Sequence, residues 1–340
     1  MSSIFFLDNL KFTNKELKKL KNKKILITGA SGFIGKSLFY FLSNISDIYK
    51  LNIKFILISR RKFILKKKFL HNTKYFNLDI KDINKFNEKS DIVFHLASKV
   101  EHPPSKKIIN ESFETVVMGT SSIIKYCINF KIKKIIYFSS AALYSSNQKL
   151  KNININEAHE KYFDLDDKNN YYAIHKKIAE DIIINNLNRK EYAIIRPFTI
   201  IGPGMKLEHS FVFGNFIKNI LQSNDIIIKS DGLTKRSFLH VNDLSYFSVK
   251  ILLSAKKNIY NVGSNKVITI KKLANLFKTI YEKNNQNKKL KVKILNQIKN
   301  NRRKYYKPDS NLFFNEFKLI ENYDLNEKIR DTYTWFLKNG

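Results

Sequence analysis

Two rhythms of apolar and polar positions alternate along the first two hundred residues. Short, nearly continuous apolar runs at 25–28, 55–59, 75–77, 92–96, 134–139 and 192–195 read as strands buried on both faces. Between them apolar residues recur at helical spacing. Phe33, Ile34, Leu38, Phe41 and Leu42 open one such stretch, and others cover about 106–130 and 172–186. This alternation predicts an α/β fold, a doubly wound parallel sheet with helices on both faces. Residues 1–22 form an extension in which Leu10, Leu17 and Leu20 share one face, which predicts a helix packed on the domain edge. Beyond Pro197 the alternation fades. We expect the sheet domain to span 23–196, with returning segments near 236–263 where the chain crosses back at 238–243 and 260–262. A smaller C-terminal α+β lobe is expected from 197–235 and 264–340.

The first strand ends in a glycine turn, Thr28-Gly29-Ala30-Ser31-Gly32-Phe33-Ile34-Gly35. A strand before and a helix after is the context that a dinucleotide-binding loop requires. Glycines permit a tight turn, close approach to a pyrophosphate and tight packing of helix on strand, and the phosphates then meet the positive end of the helix. A ligand-free turn is the bland alternative; the flanking elements favour the binding loop, with Gly29, Ser31, Gly32, Phe33, Ile34 and Gly35 as its contacts. The second strand ends in Ser59-Arg60-Arg61. An NAD site commonly places an acid there for the ribose hydroxyls. Serine and arginine suit a 2′-phosphate instead, because guanidinium pairs with phosphate in a bidentate manner. The cofactor reading is NAD or NADP, leaning to NADP; plain lysine and arginine richness is the competing account of the two arginines.

Further motifs follow in order. Ser139-Ser140-Ala141-Ala142-Leu143-Tyr144 ends a strand, and Tyr172-Ala173-Ile174-His175-Lys176 opens a helix. Arg196-Pro197-Phe198-Thr199, Arg236-Ser237-Phe238-Leu239-His240-Val241-Asn242-Asp243 and Tyr260-Asn261-Val262-Gly263-Ser264 come later. With the GxxGxxG spacing, this set resembles the extended branch of the short-chain dehydrogenase/reductase superfamily, the nucleotide-sugar epimerases, dehydratases and reductases. The resemblance spans about 24–335. It implies a Rossmann-type sheet, a nicotinamide dinucleotide, a nucleotide-sugar substrate and a Ser-Tyr-Lys catalytic set.

Tyr172 and Lys176 lie four apart and project from one helix face. A tyrosine with a pKa of about 10 is a poor base at neutral pH, but a nearby ammonium and a nicotinamide cation favour its phenolate. Tyr172 can then remove a sugar hydroxyl proton as hydride leaves the same carbon. The resemblance also has Lys176 bonding the nicotinamide ribose. In isolation the two would read as an ordinary i,i+4 surface pair. Tyr171 and His175 offer a shifted alternative, and the family pattern selects Tyr172. Ser140, at the end of a strand where such sheets bind ligands, can share the hydrogen bond of the reacting oxygen with Tyr172. Ser139 is expected to line the cofactor.

The resemblance further implies cofactor contacts from Asp79 and Ile80 beside adenine, from the backbone at Leu96 and Ala97, and from Pro197. Asp79 reads equally well as a helix cap. Arg236 and Arg303 are expected to hold the substrate diphosphate, and Thr199 to touch the sugar. Family dehydratases carry acids where this chain has Ala141 and Ala142, and alanines do no acid–base chemistry. That favours a 4-epimerase or a 4-ketoreductase, with a 4,6-dehydratase or decarboxylase as the alternative. A non-catalytic NAD(P)-binding scaffold and a nucleic-acid-binding protein are readings of other classes. Val116 and Thr199 stand where many epimerases carry Asn, which weakens any claim to UDP-galactose. Family members often pair through the helices around 105–130 and 172–186, so a homodimer is an expectation.

Composition narrows the rest. The single cysteine, Cys127, excludes a disulfide framework and a cysteine-rich metal site, and its helical apolar setting predicts a buried thiol. His95 has no second ligand at a useful spacing, so no metal is expected. No apolar run approaches a membrane span. Asp8 close behind Phe5 and Phe6, with no cationic start, does not fit a signal peptide; the expected location is cytoplasmic. The formal net charge is +33, from 62 Lys and Arg against 29 Asp and Glu. Such an excess can serve nucleic acid or an anionic surface. Here the lysines are spread along the whole chain among isoleucine and asparagine, as A/T-rich coding would give. No dedicated nucleic-acid partner and no membrane association are expected, and a positive field also attracts a nucleotide-sugar pyrophosphate.

Overall fold

The apolar runs close into one parallel sheet. A computed structural model of the chain describes residues 10–63, 65, 67–144, 154–158, 165–207, 211–285, 288–295 and 305–339. The strands in chain order are β1 (Lys24–Thr28), β2 (Lys54–Ser59), β3 (Thr73–Asn77), β4 (Ile92–His95), β5 (Lys134–Phe138) and β6 (Tyr192–Pro197). Shorter ones follow: β7 (Ile200–Ile201), β8 (Ile226–Ile228), β9 (Lys235–Ser237), β10 (Leu239–His240), β11 (Ile259–Val262), β12 (Val267–Thr269), β13 (Val292–Ile294) and β14 (Tyr305–Tyr306). The seven-stranded central sheet has the order β11-β6-β5-β4-β1-β2-β3 and is parallel throughout.

The helices are α1 (Asn14–Lys18), α2 (Phe33–Ile48), α3 (Lys106–Ser112), α4 (Gly119–Asn129), α5 (Tyr171–Asn186), α6 (Val212–Leu221), α7 (Val241–Ser254), α8 (Ile270–Asn284), α9 (Asn311–Phe317) and α10 (Leu325–Asn339). Alternate residues of each strand feed opposite cores. Ile25, Ile27, Ile136 and Phe138 join the core under α2 and α7, whereas Leu26, Ile135 and Tyr137 join the one under α4 and α5. The expected helix over 106–130 is α3 and α4, joined by a π-helical stretch at Phe113–Met118.

The extension ahead of β1 carries α1, held by a capping box between Thr13 and Glu16. Glu16 is buried and accepts from Lys250 and Ser254 of α7. One expectation fails. The segment 238–243 does not rejoin the central sheet: β10 pairs with β7, and at Val241 the chain turns into α7. His240 caps that helix, its Nδ1 accepting from the Asn242 N–H at 3.3 Å, which ends the strand after two residues. Every residue of α7 from Val241 to Leu253 is buried. Among the described residues beyond β6, only β11 returns, pairing with β6. A third core, with Phe213, Phe216, Phe277 and Tyr333, forms between α6, α8 and α10, and Phe33 of α2 packs against it.

Candidate functional site

The turn between β1 and α2 leaves no room for a side chain at Gly29 or Gly35. Gly29 has φ +66°, and a Cβ there would stand 2.9 Å from the Ala97 nitrogen; one on Gly35 would stand 2.4 Å from the Gly29 carbonyl oxygen. Gly32 caps α2 without a side-chain hydrogen bond, and no acid occupies the first turn, so its first N–H groups stay available to an anion. Phe33 and Ile34 turn their side chains into the cores, leaving only their backbone for a ligand. Ser31, Ser59, Arg60, Arg61, Ile80 and Ala97 line a cleft of about 240 Å³ beside this turn. A dinucleotide fits these features: a cradle that a Cβ would fill and an uncapped helix end facing it.

Thr28 ties the ends of β1 and β4 together. Its Oγ1 accepts from the N–H groups of Leu96 and Ala97, both at 3.1 Å, and lies 2.7 Å from His95 Nδ1. With its acceptor positions filled by two donors, the threonine hydroxyl donates to Nδ1. Nε2 therefore carries the histidine proton and donates to Thr120 Oγ1 at 3.1 Å. Burial, with the nearby Lys176 ammonium, pulls the His95 pKa down to about 3. His95 is a neutral strut between β4 and α4, and among the described residues no His, Cys, Asp and Glu cluster could hold a metal.

At the end of β2, Ser59 Oγ donates to the Arg61 carbonyl at 2.8 Å, and Arg60 Nη1 stands 3.7 Å from Asp79 Oδ2. Asp79 acts as a cap, its Oδ1 accepting from the Lys81 N–H at 3.0 Å. Its neighbours Leu78 and Ile80 line the cleft.

Helix α5 presents two faces. On one, the Tyr171 hydroxyl bonds the backbone of Glu101 at 3.0 Å, and His175 Nδ1 lies 3.1 Å from Ser112 Oγ. These contacts occupy the shifted pair structurally. On the other face Tyr172 Oη accepts from Ser98 Oγ at 3.3 Å. Burial raises the Tyr172 pKa, and hydrogen bonds from Ser98 and Ser140 oppose the rise. Lys176 is 1% exposed, donates to the Phe138 carbonyl at 2.6 Å and lies over the Tyr137 ring, 4.7 Å from its centroid. Its Nζ is 5.8 Å from the Tyr172 ring centroid. Burial pulls its pKa down to about 7 against the opposing charge of Glu180. Ser140 Oγ accepts from the Ala142 N–H at 3.1 Å. Ser139 donates its N–H to Ile195 at 2.8 Å, while its hydroxyl is buried without a protein partner.

Two contributions escaped the sequence reading. Ser98, three residues beyond His95 in the loop after β4, reaches Tyr172 and has no motif of its own. A buried network also holds α5 in place. Arg196 binds Glu180 through two hydrogen bonds, Nε–Oε1 at 2.8 Å and Nη2–Oε2 at 2.6 Å. Its Nη1 donates to Tyr144 Oη at 2.7 Å, and Tyr144 donates to Asn261 Oδ1 at 3.0 Å. Four elements meet there: α5, the turn after Ser140, β6 and β11. The available signal was the spacing of Tyr172, Lys176 and Glu180, each four apart.

The residues expected to meet the substrate are less concentrated. Thr199 accepts from the Leu239 N–H through its carbonyl at 3.0 Å. Arg236 lies on β9 between β12 and β14 and donates to the Lys235 carbonyl at 2.9 Å. Arg303 is outside the described residues; two residues on, Tyr305 pairs with Lys235. Pro197 ends β6 opposite Val262. Lys206, from beyond β7, joins the cleft lining beside Arg60 and Arg61. Cys127 is buried and its thiol is pushed up to about 12. No helix among the described residues is long and apolar enough to cross a membrane.

Residues 25–263 match the family model described as "NAD dependent epimerase/dehydratase family". The chain is 29% identical over 264 residues to dTDP-D-glucose 4,6-dehydratase of Dictyostelium discoideum, covering 72% of this chain and 58% of that relative. Among solved structures, UDP-N-acetylglucosamine 4-epimerase from Methanobrevibacter ruminantium M1, in complex with UDP-N-acetylmuramic acid, superposes with a TM-score of 0.76 at 23% identity over 94% of this chain and 100% of that one. UDP-glucuronic acid 4-epimerase from Bacillus cereus, in complex with NAD, gives 0.73 at 20% identity over 93% and 96%.

Proposed function

The chain belongs to the NAD dependent epimerase/dehydratase family, and from that premise we propose that it moves hydride between NAD(P) and C4 of a nucleotide-linked hexose, as an epimerase or a 4-ketoreductase. The observation that carries this choice is Ala141-Ala142 beside Ser140: neither methyl can give or take the proton that elimination of water requires. Tyr172 Oη removes the proton of the reacting hydroxyl and returns it on reduction. Ser98 and Ser140 orient that oxygen, and the Lys176 ammonium favours the phenolate. The bound dinucleotide supplies the hydride acceptor and, once reduced, the hydride donor. Its diphosphate is held by the backbone of Gly29, Ser31, Gly32, Phe33, Ile34 and Gly35. Asp79, Ile80, Leu96, Ala97, Ser139 and Pro197 border the rest. Arg60 and Arg61 beside Ser59 support a 2′-phosphate and hence NADP.

Arg236, Arg303 and Thr199 take the nucleotide sugar, so that 23–196 with the returning stretch serves the cofactor and 197–235 with 264–340 the substrate. Exposed Phe113, Met118, Ile178 and Ile184 around α3–α5 support pairing of two copies. The expected location remains cytoplasmic.

The dehydratase relative supports a second reading, 4,6-dehydration or decarboxylation. Purified protein incubated with UDP-glucose, UDP-N-acetylglucosamine, dTDP-glucose and UDP-glucuronic acid, and separately with NADPH and a nucleotide-linked 4-keto sugar, separates the two by product mass and by chromatography of the C4 epimers. Inversion at C4 without mass change, or consumption of NADPH by a 4-keto sugar, supports the proposal; loss of water or carbon dioxide overturns it. Tyr172→Phe is expected to lower turnover about 10²–10⁴-fold while leaving dinucleotide binding, read by fluorescence titration, in place.

A further inference from the structure

A large concavity lies at the opposite end of the sheet from the glycine turn. It has a volume of about 1020 Å³ and opens where β1, β4, β5 and β6 begin. One five-residue strand, about 17 Å, separates it from the nicotinamide end. Segments around residues 18–23, 89–92, 131–134, 189–192 and 252–258 converge on it. Eleven of its nineteen lining residues are Lys or Arg, against 62 of 340 in the whole chain. That enrichment sets it apart from the general basic background.

Compensation inside is small. Asp91 is the single acid among the lining residues, and its Oδ2 already accepts from the Lys24 N–H at 2.8 Å. Two ammonium groups are anchored by backbone carbonyls: Lys134 donates to Lys190 at 3.2 Å, and Lys19 donates to Leu253. Burial, then the proximity of Lys19, pulls the Lys134 pKa below its ordinary value. Lys134 and Lys19 are thus held near one another against their own repulsion, a cost that an anion would relieve.

We propose that this concavity is a binding site for a compact, multiply phosphorylated anion, recognised through its phosphates. Its lining favours that class over others. Tyr192 is its one aromatic and is 5% exposed, so no ring face is offered to a nucleobase. Leu252 and Leu253 are mostly enclosed by their own core, and a recessed bowl ringed by cations does not match a flat bilayer. The site is independent of the sugar-nucleotide reading, since it shares no lining residue with the cleft at the glycine turn.

Calorimetric titration of the full chain with sodium tripolyphosphate at about 0.15 M salt tests it. Saturable binding at one site is expected. The variant Lys131→Gln/Lys133→Gln/Lys256→Gln/Lys257→Gln should weaken it by about tenfold or more, since each lost phosphate contact also lowers the salt slope. A charge-matched control, Lys272→Gln/Lys283→Gln/Lys289→Gln/Lys338→Gln, should keep the affinity within about twofold. Acylation mapping of the wild-type protein, which needs no variant to fold, should show tripolyphosphate protecting Lys131, Lys133, Lys256 and Lys257 above the control lysines. Equal losses in both variants, uniform protection or absence of saturation overturns the site. So does a single-stranded oligonucleotide, or a vesicle rich in phosphatidylserine, that depends on the same four lysines and binds more tightly than tripolyphosphate.

Discussion

Lys176 has two demands placed on it. Its ammonium is to sit beside Tyr172, yet it is almost fully enclosed and its pKa falls to about 7 from an ordinary value of about 10.5. Between those values the unfolded chain binds a proton that the folded protein does not, so stability rises with pH across that window. Below about 7 the folded protein must carry a buried charge, and the cost is present in full. Lys176→Met is therefore expected to abolish activity while raising the melting temperature, by more at pH 6 than at pH 9. Calorimetric scans at the two pH values check this, and an equal shift at both would assign the gain to packing alone. Burial raises Tyr172 as well, so the proposed base needs neighbouring positive charge to favour its phenolate.

At the scale of elements, the position of α5 depends on a buried ion pair. Arg196 and Glu180 are 2% and 1% exposed and bond in the bidentate mode. Removing one partner strands the other, which costs about 3–5 kcal/mol. Glu180→Leu is expected to lower the urea midpoint accordingly, and Glu180→Leu/Arg196→Met to recover much of that loss. Equilibrium denaturation of the three proteins reads it.

Local signals made the β1–turn–α2 unit legible, because strand, glycines and helix are contiguous. The pairing of Tyr172 with Lys176 was legible for the same reason. Ser98 was not, since its contact with Tyr172 joins residues 74 apart in sequence. Tyr144, Glu180 and Arg196 also meet only once the sheet is assembled. The stretch Phe238-Leu239-His240-Val241 misled because four apolar or half-apolar residues suit a strand or a buried helix equally. What decides is that α7 is enclosed on all sides, a fact of packing rather than of period.

At the scale of the molecule, the sheet is capped on one face by α2 and α7 and on the other by α4 and α5, and the second pair retains exposed apolar groups. If two copies meet there, Ile178→Glu/Ile184→Glu should convert a dimer to a monomer in sedimentation velocity with little change in thermal stability. An unaltered sedimentation coefficient would place the pairing surface elsewhere.

The enclosure of α7 also sets an order of events during synthesis. Residues 10–197 contain six of the seven central strands, but α2 and the adjoining sheet face remain uncovered until 241–254 arrives, and β6 keeps an open edge until 259–262 pairs with it. A nascent chain halted after Pro197 should therefore stay open to protease and bind chaperones, whereas one released beyond Gly263 should become resistant in a single step. Limited proteolysis of stalled ribosome complexes reads the difference. The lobe segment at 198–240 thus has to be held aside, unfolded or half-formed, while the unit that precedes it waits for its last helix and strand.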